Sequence, residues 1–235
     1  MHCAIVGPPG TDLEPVARLC SPRVEMHGPE AAVFDARGLS RVIGTPRQIG
    51  EEVIRLAGER GLRVKVAVAG TATAAWLLAR HARGPVTVVE AGREAATLSA
   101  LPVSALLTVT DLVLLADDTR FRRVPRGRAF RAAPSPMRHS NAAVTQRQTQ
   151  VLATLERWGI TQLGQVAALP RAEMHARFGA LGVRMHEAAM GLDREPMQPG
   201  DAPRRFIERL ALEWPIEGLE PLSFVLGRLC DTLSK

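Results

Sequence analysis

Residues Gly61 to Arg80, GLRVKVAVAGTATAAWLLAR, run from a strand through a small-residue turn into a helix. Val64, Val66 and Val68 alternate with Lys65 and Ala67, and β-branched side chains favour the extended pleat. Gly70-Thr71 interrupts the strand, and Thr71 or Thr73 can cap a helix by accepting a backbone N–H bond. The AAWLLAR that follows is apolar on nearly every face, which predicts a helix packed deep against a sheet. A helix N-terminus carries partial positive charge, so the turn of this βα unit is the first place to look for a bound phosphate.

Working outward, Thr45 to Arg60 reads as an amphipathic helix, with Pro46 in its first turn, Ile49, Val53, Leu56 and Ala57 on one face, and Gly61 ending it. Upstream, EAAVFDA from Glu30 to Ala36 reads as a central strand entering a turn at Arg37-Gly38. Cys3 to Val6 is a short strand that stops at Gly7-Pro8-Pro9-Gly10. GPPGT is not a P-loop, because Asp12-Leu13-Glu14 stands where Gly-Lys-Ser/Thr would have to reach the phosphates. Asp12 instead caps a helix from Leu13 to Leu19, ended by Pro22. Downstream come a strand at Val86 to Val89, a helix at Arg93 to Leu98 and an exit loop at Leu101-Pro102-Val103. This alternation predicts an α/β (α+β) layer, a mixed sheet covered by helices, over residues 1–107.

The pattern changes after Leu107. Thr108 to Leu115 reads as an extra strand, and Asp117 to Gln150 carries Arg120, Arg122, Arg123, Arg126, Arg128, Arg131 and Arg138 among Pro, Ser and Ala with little hydrophobic period. Residues 108–150 therefore read as a basic, disordered insertion, either an arm for phosphates or a solvated linker. From Val151 the helical period returns: Val151, Leu152 and Leu155 lead into Trp158-Gly159-Ile160-Thr161, then Leu163, Val166, Ala167 and Leu169. Two short helices around a glycine turn fit a helix-hairpin-helix unit, whose free backbone amides bind DNA phosphates, or an ordinary αα-hairpin. Helices at 171–178 and 183–190 flank Phe178 to Gly182, and Pro196, Pro199 and Pro203 mark a linker, so 151–200 is a small helical domain. Phe206 to Trp214 alternates like a strand and Leu219 to Leu233 like an amphipathic helix, which opens a further domain at 201–235.

The 235 residues are 46% hydrophobic, enough for a sizeable core, and carry a formal charge of +6, with a pI near 10.4. That balance suits a polyanionic partner, although lysine occurs only at Lys65 and Lys235, so an arginine-rich codon bias accounts for it equally. Cys3, Cys20 and Cys230 show no disulfide or zinc spacing, and no apolar run spans a bilayer; a cytoplasmic protein with no membrane association is expected. His175 and His186 lie on different predicted helices without ligand spacing and read as surface or interface residues, while His27 beside Glu30 has no assigned role.

Taken in order, several stretches resemble the Y-family DNA polymerases, most closely their catalytically defective ImuB-like branch. EAAVFDARGLSRVIG is similar to a palm strand and its turn, with Asp35 and Gly38 at the Asp and Gly of a Leu-Asp-x-Thr-Gly pattern. GLRVKVAVAGTATAAWLLAR is similar to the next palm strand and helix, and LSALPVSALL to the exit from the palm. LERWGITQLGQVAALPRAEMHARFG resembles the thumb, and FIERLALEWPIEGLEPLSFVLGRL the opening of the little finger.

Active polymerases of this kind hold Mg²⁺ on clustered carboxylates. Matching the family's Ser-x-Asp-Glu motif puts Gly28 at the serine and Glu30-Ala31 at the acidic pair, so Glu30 is a degenerate catalytic position. The first-strand carboxylate, the fingers and the aromatic sugar gate have no counterpart in the chain, which is expected to be a truncated homologue. The two triphosphate-binding lysines fall on Ala72 and Trp76, and Arg80 one turn later does not replace them. The resemblance implies a non-catalytic accessory in DNA repair, translesion synthesis and the SOS response, without a cofactor. Mg²⁺ enters only under the alternative of a residual polymerase using Glu30. Its partners are damaged or primer-template DNA, together with a sliding clamp, an error-prone polymerase and a RecA-like protein. The expected DNA contacts are sequence-independent, from Arg157, the amides of Trp158, Gly159, Ile160 and Thr161, and from Arg171, Arg177 and Arg184. A degraded fragment or a protein-interaction module using the C-terminal apolar helix is the other alternative.

Overall fold

The computed structural model describes residues 1–109, 137–194, 196–200, 210, 211, 215 and 218–233. The chain divides into two units, Met1–Gly200 and Asp201–Lys235. The first is built on a five-stranded sheet of β1 (His2–Val6), β2 (Val24–Met26), β3 (Ala31–Asp35), β4 (Lys65–Ala69) and β5 (Val86–Val88), in the order β2-β3-β1-β4-β5. It is mixed: β1 runs antiparallel to both neighbours, with Ala4 opposite Val33 and Ala67, whereas β4 and β5 are parallel.

The pleat sorts the strand residues between two cores. Ala4, Ala31, Val33, Ala67 and Ala69 face α3 (Ala72–His81), and their small side chains suit close packing of that alanine-rich helix. Cys3, Ile5, Ala32, Phe34, Val66 and Val68 face α1 (Glu14–Cys20) and α2 (Pro46–Gly58). Both faces being covered, β4 is buried along its length except at Lys65. Local signals set the ends. The Glu14 N–H donates to Asp12 Oδ1 at 3.1 Å before α1. Thr45 and Gln48 form a reciprocal capping box at the start of α2.

The α3 side of the sheet continues into a helical layer. α4 (Glu94–Leu98) and a 3₁₀ segment (Val103–Val109) lead to α5 (Met137–Arg157), α6 (Leu163–Ala167) and α7 (Arg171–Ala189). Leu155, Leu163, Met174 and Met185 share one core with Trp76 and Leu77 of α3. In the second unit, α8 (Leu219–Leu233) is helical.

Several sequence expectations change. The middle strand is β1, with EAAVFDA beside it; the outer β2 has only three residues, too few for an alternation to show. Thr108 and Val109 close a 3₁₀ segment instead of opening a strand, and 110–115 lie outside the described residues. Residues 137–150, read as part of the disordered insertion, belong to α5, whose polar Gln, Thr and Arg content hid the helix. The rest of the Arg-rich stretch before 137 lies outside the described residues, as does nearly all of the strand expected at 206–214.

Candidate functional site: the α3 turn and the α5–α7 surface

Thr71 caps α3. Its hydroxyl accepts the Ala74 N–H at 3.3 Å and donates to the Gly191 carbonyl at 2.6 Å. The next amides are taken from the far end of the helical layer: the Ala72 N–H donates to Asp193 Oδ2 at 2.9 Å and the Thr73 N–H to Asp193 Oδ1 at 2.8 Å. A carboxylate therefore straddles two first-turn amides, where the helix dipole and two free donors would otherwise attract a phosphate. Asp193 arrives there through Gly191, which ends α7 with φ +71°. A Cβ at Gly191 would also lie 2.8 Å from Leu98 Cδ1, so glycine is required for both conformation and space.

One turn on, Trp76 is fully buried. Its indole N–H donates to the Thr108 carbonyl at 2.9 Å, the His27 ring packs at 4.5 Å, and the Arg80 guanidinium lies 4.3 Å from the ring centroid. Burial, reinforced by nearby Arg80, pushes the His27 pKa down to about 4. His27 is thus a neutral packing partner of Trp76, and Arg80 is committed to the same stack.

The carboxylates matched to the family's acidic positions do not converge. Glu30 is half-buried just before β3, where its carbonyl accepts the Gly7 N–H at 2.9 Å, and Ala31 beside it is buried. Asp35 lies at the other end of that strand, about 16 Å away at the usual rise per residue. Arg37 binds it in a fork, Nε to Oδ1 at 3.0 Å and Nη2 to Oδ2 at 2.6 Å, and holds its carboxyl well below the usual carboxylate range. Among the described residues no three His, Cys, Asp or Glu side chains group to hold an ion. These residues do not fit a two-metal centre.

On the helical layer, the turn after α5 is held against the exit segment, with Val103 N–H donating to Thr161 O at 2.8 Å and Leu163 N–H to Leu101 O at 2.9 Å. Gly159 takes φ +77°, as a helix C-terminus requires. The expected free amides are already bonded. Those of Trp158, Gly159 and Ile160 donate to Leu155 or Glu156 carbonyls, and those of Thr161 and Gln162 to Gln165 Oε1 at 2.8 and 3.0 Å. A phosphate would have to displace the Gln165 side chain, so side chains carry whatever contact this surface makes.

Of the expected side chains, the structure brings together Trp158, Arg157 and Arg177. Trp158 is 47% exposed, tilted against Phe178 at 5.8 Å, with the Arg177 guanidinium 5.0 Å from its ring centroid. Exposed Arg157 donates to Thr154 Oγ1 at 3.2 Å. Arg171 is diverted into an ion pair with Glu187 at 3.1 Å, and Arg184 is half-buried on α7. Of the two histidines expected as surface or interface residues, His175 is exposed and His186 is buried with Nε2 2.9 Å from the Leu169 carbonyl. Asp193 escaped the sequence reading because its partners are backbone amides some 120 residues away, a contact with no motif.

No family's sequence profile matches the chain. It is 27% identical over 236 residues to "Protein ImuB" of two Caulobacter vibrioides strains, NA1000 / CB15N and ATCC 19089 / CIP 103742 / CB 15, covering 96% of this chain and 43% of each relative. The chain thus spans under half the length of the curated relatives it matches. Among solved structures it is similar to DinB from Sulfolobus solfataricus (TM-score 0.47, 13% identity, 79% of this chain and 45% of that one). It is also similar to the Y-family DNA polymerase chimera Dbh-Dpo4(243-245)-Dbh (TM-score 0.47, 14% identity, 82% and 45%).

Proposed function

From its homology to protein ImuB along 96% of its length, we propose that this chain is a non-catalytic, polymerase-like accessory in the response to DNA damage. It holds DNA without reading sequence and leaves synthesis to other proteins. The observation that carries the loss of catalysis is the Asp193 carboxylate on the Ala72 and Thr73 amides. An incoming triphosphate would meet a negative charge at the α3 turn, and like charges repel. The Glu30-Ala31 pair, with one carboxylate where the family's motif has two, points the same way.

DNA contact in this reading runs through Arg157, Trp158 and Arg177, with Arg171 and Arg184 secondary because of their partners and burial. The damage-response setting, the cytoplasmic location and the clamp, error-prone polymerase and RecA-like partners belong to the same proposal. Among the described residues no helix is long and apolar enough to cross a membrane.

The test is fluorescence anisotropy of a labelled primer-template at stepped salt. Steep weakening with salt is expected, with further loss on Arg157→Glu combined with Trp158→Ala. A flat salt response, or no binding at all, would refute the DNA-holding role. Template-directed extension that disappears in Glu30→Gln would establish the residual polymerase instead. A protein-interaction module is a second reading, favoured by the exposed Leu219, Phe224 and Leu226 on α8. Absent DNA binding, together with self-association lost on Leu222→Asp and Leu229→Asp, would support it.

A further inference from the structure

A pocket of about 320 Å³ opens between α5 and the middle of α7. Arg147, Gln150, Val151 and Thr154 supply one wall; their spacing of three, four and seven residues puts them on one face of α5. The other wall is the kink in α7, where Gly179 takes φ 64° and ψ −150°. A Cβ at Gly179 would meet nothing within 4 Å, so glycine is needed there for conformation alone and leaves the kink open.

Among the described residues no acidic side chain lines this pocket. Among the described residues no carboxylate pairs with Arg147 or Arg177. Arg177 is held over the Trp158 ring instead, a contact that fixes its position while leaving its charge unneutralised. Arg157 joins the same group from the rim, through its bond to the pocket-lining Thr154 hydroxyl. Two guanidiniums, Arg147 and Arg177, thus line the opening, while a third, Arg157, and the exposed Trp158 indole touch its lining residues Thr154 and Arg177. The flat guanidinium forks of N–H donors match phosphate oxygens.

We propose that the α5–α7 pocket seats a backbone phosphate of the bound DNA strand, with Arg147 and Arg177 as its ligands and Arg157 and Trp158 on the adjoining nucleotide. This rests on the DNA-holding function above and assigns the strand's seat to Arg147, inside the stretch that reads as linker in the sequence. A strand is favoured over a free anion because a single phosphate would leave Arg157 and the exposed Trp158 ring unused, whereas consecutive nucleotides engage all four side chains.

The test uses the full chain and measures primer-template affinity across a salt series for wild type, Arg147→Ala and Arg147→Lys, with circular dichroism confirming the fold. Arg147→Ala is expected to weaken binding roughly tenfold or more and to reduce the slope of log K against log salt by about one contact. Arg147→Lys is expected to restore the slope and part of the affinity. Calorimetry with inorganic phosphate separates the sources: millimolar phosphate is expected to leave DNA-free protein unbound. Unchanged DNA affinity and slope in Arg147→Ala, while Arg157→Glu still weakens binding, would overturn this seat and leave the DNA-holding function standing. Phosphate binding lost in Arg147→Ala, with DNA affinity intact, would assign the pocket to a free anion. Wild type that binds no DNA would remove the function itself.

Discussion

At the scale of single residues, His27 and Asp193 do unlike jobs on either side of α3. His27 is neutral and buried against Trp76, with its pKa lowered from 6.5 to about 4. The unfolded chain takes up this proton near pH 6.5, while the folded chain resists it until about pH 4. The stabilisation is therefore complete above pH 6.5, falls as pH drops toward 4, and falls no further below that. Between pH 7 and pH 5 this group alone should remove about 2 kcal/mol of unfolding free energy. Urea titrations at the two pH values, comparing wild type with His27→Phe, isolate that difference; equal losses in both proteins would show that His27 is not the group responsible. Asp193 acts as a remote cap, so Asp193→Ala should cost about 1–2 kcal/mol, and Asp193→Asn less because one acceptor oxygen remains. Chemical unfolding checks both.

At the scale of elements, the βα unit at 61–80 was legible because each local signal agrees with the packing: valines for the strand, Thr71 for the cap, an alanine-rich run for a helix buried on all sides. α2 was legible for the same reason, from Thr45 and Pro46 to the Ile49, Val53 and Ala57 face. The start of α5 was not, because its first turns are polar and the apolar period begins only near Val151. The glycine turn at Trp158 to Thr161 was legible from Gly159, but the bonding of its amides was not, since that depends on where the Gln165 side chain turns. Gln165→Leu removes the acceptor for two amides and should cost about 2 kcal/mol at about 1 per bond lost, read by thermal unfolding. If that variant binds DNA more tightly than wild type, the hairpin amides do take part in the contact. Gly191→Ala combines a disfavoured φ with a clash against Leu98 and should destabilise by on the order of 2 kcal/mol or more.

At the scale of the whole molecule, the sheet layer and the helical layer of the first unit share one core, and the Thr71 and Asp193 bonds close that core at the α3 turn. A turn poised for an anion thus becomes a joint between layers, while the cationic surface lies elsewhere, around Arg147, Arg157 and Arg177. That separation predicts a protein that engages the DNA backbone and ignores nucleotides. The direct measurement is primer-template affinity at fixed salt, with and without Mg²⁺ and the next complementary deoxynucleoside triphosphate. A ligand that binds only the complex must tighten it. The same affinity is expected whether or not the complementary nucleotide is added. Tightening by the complementary nucleotide, with none by a mismatched one, would contradict it.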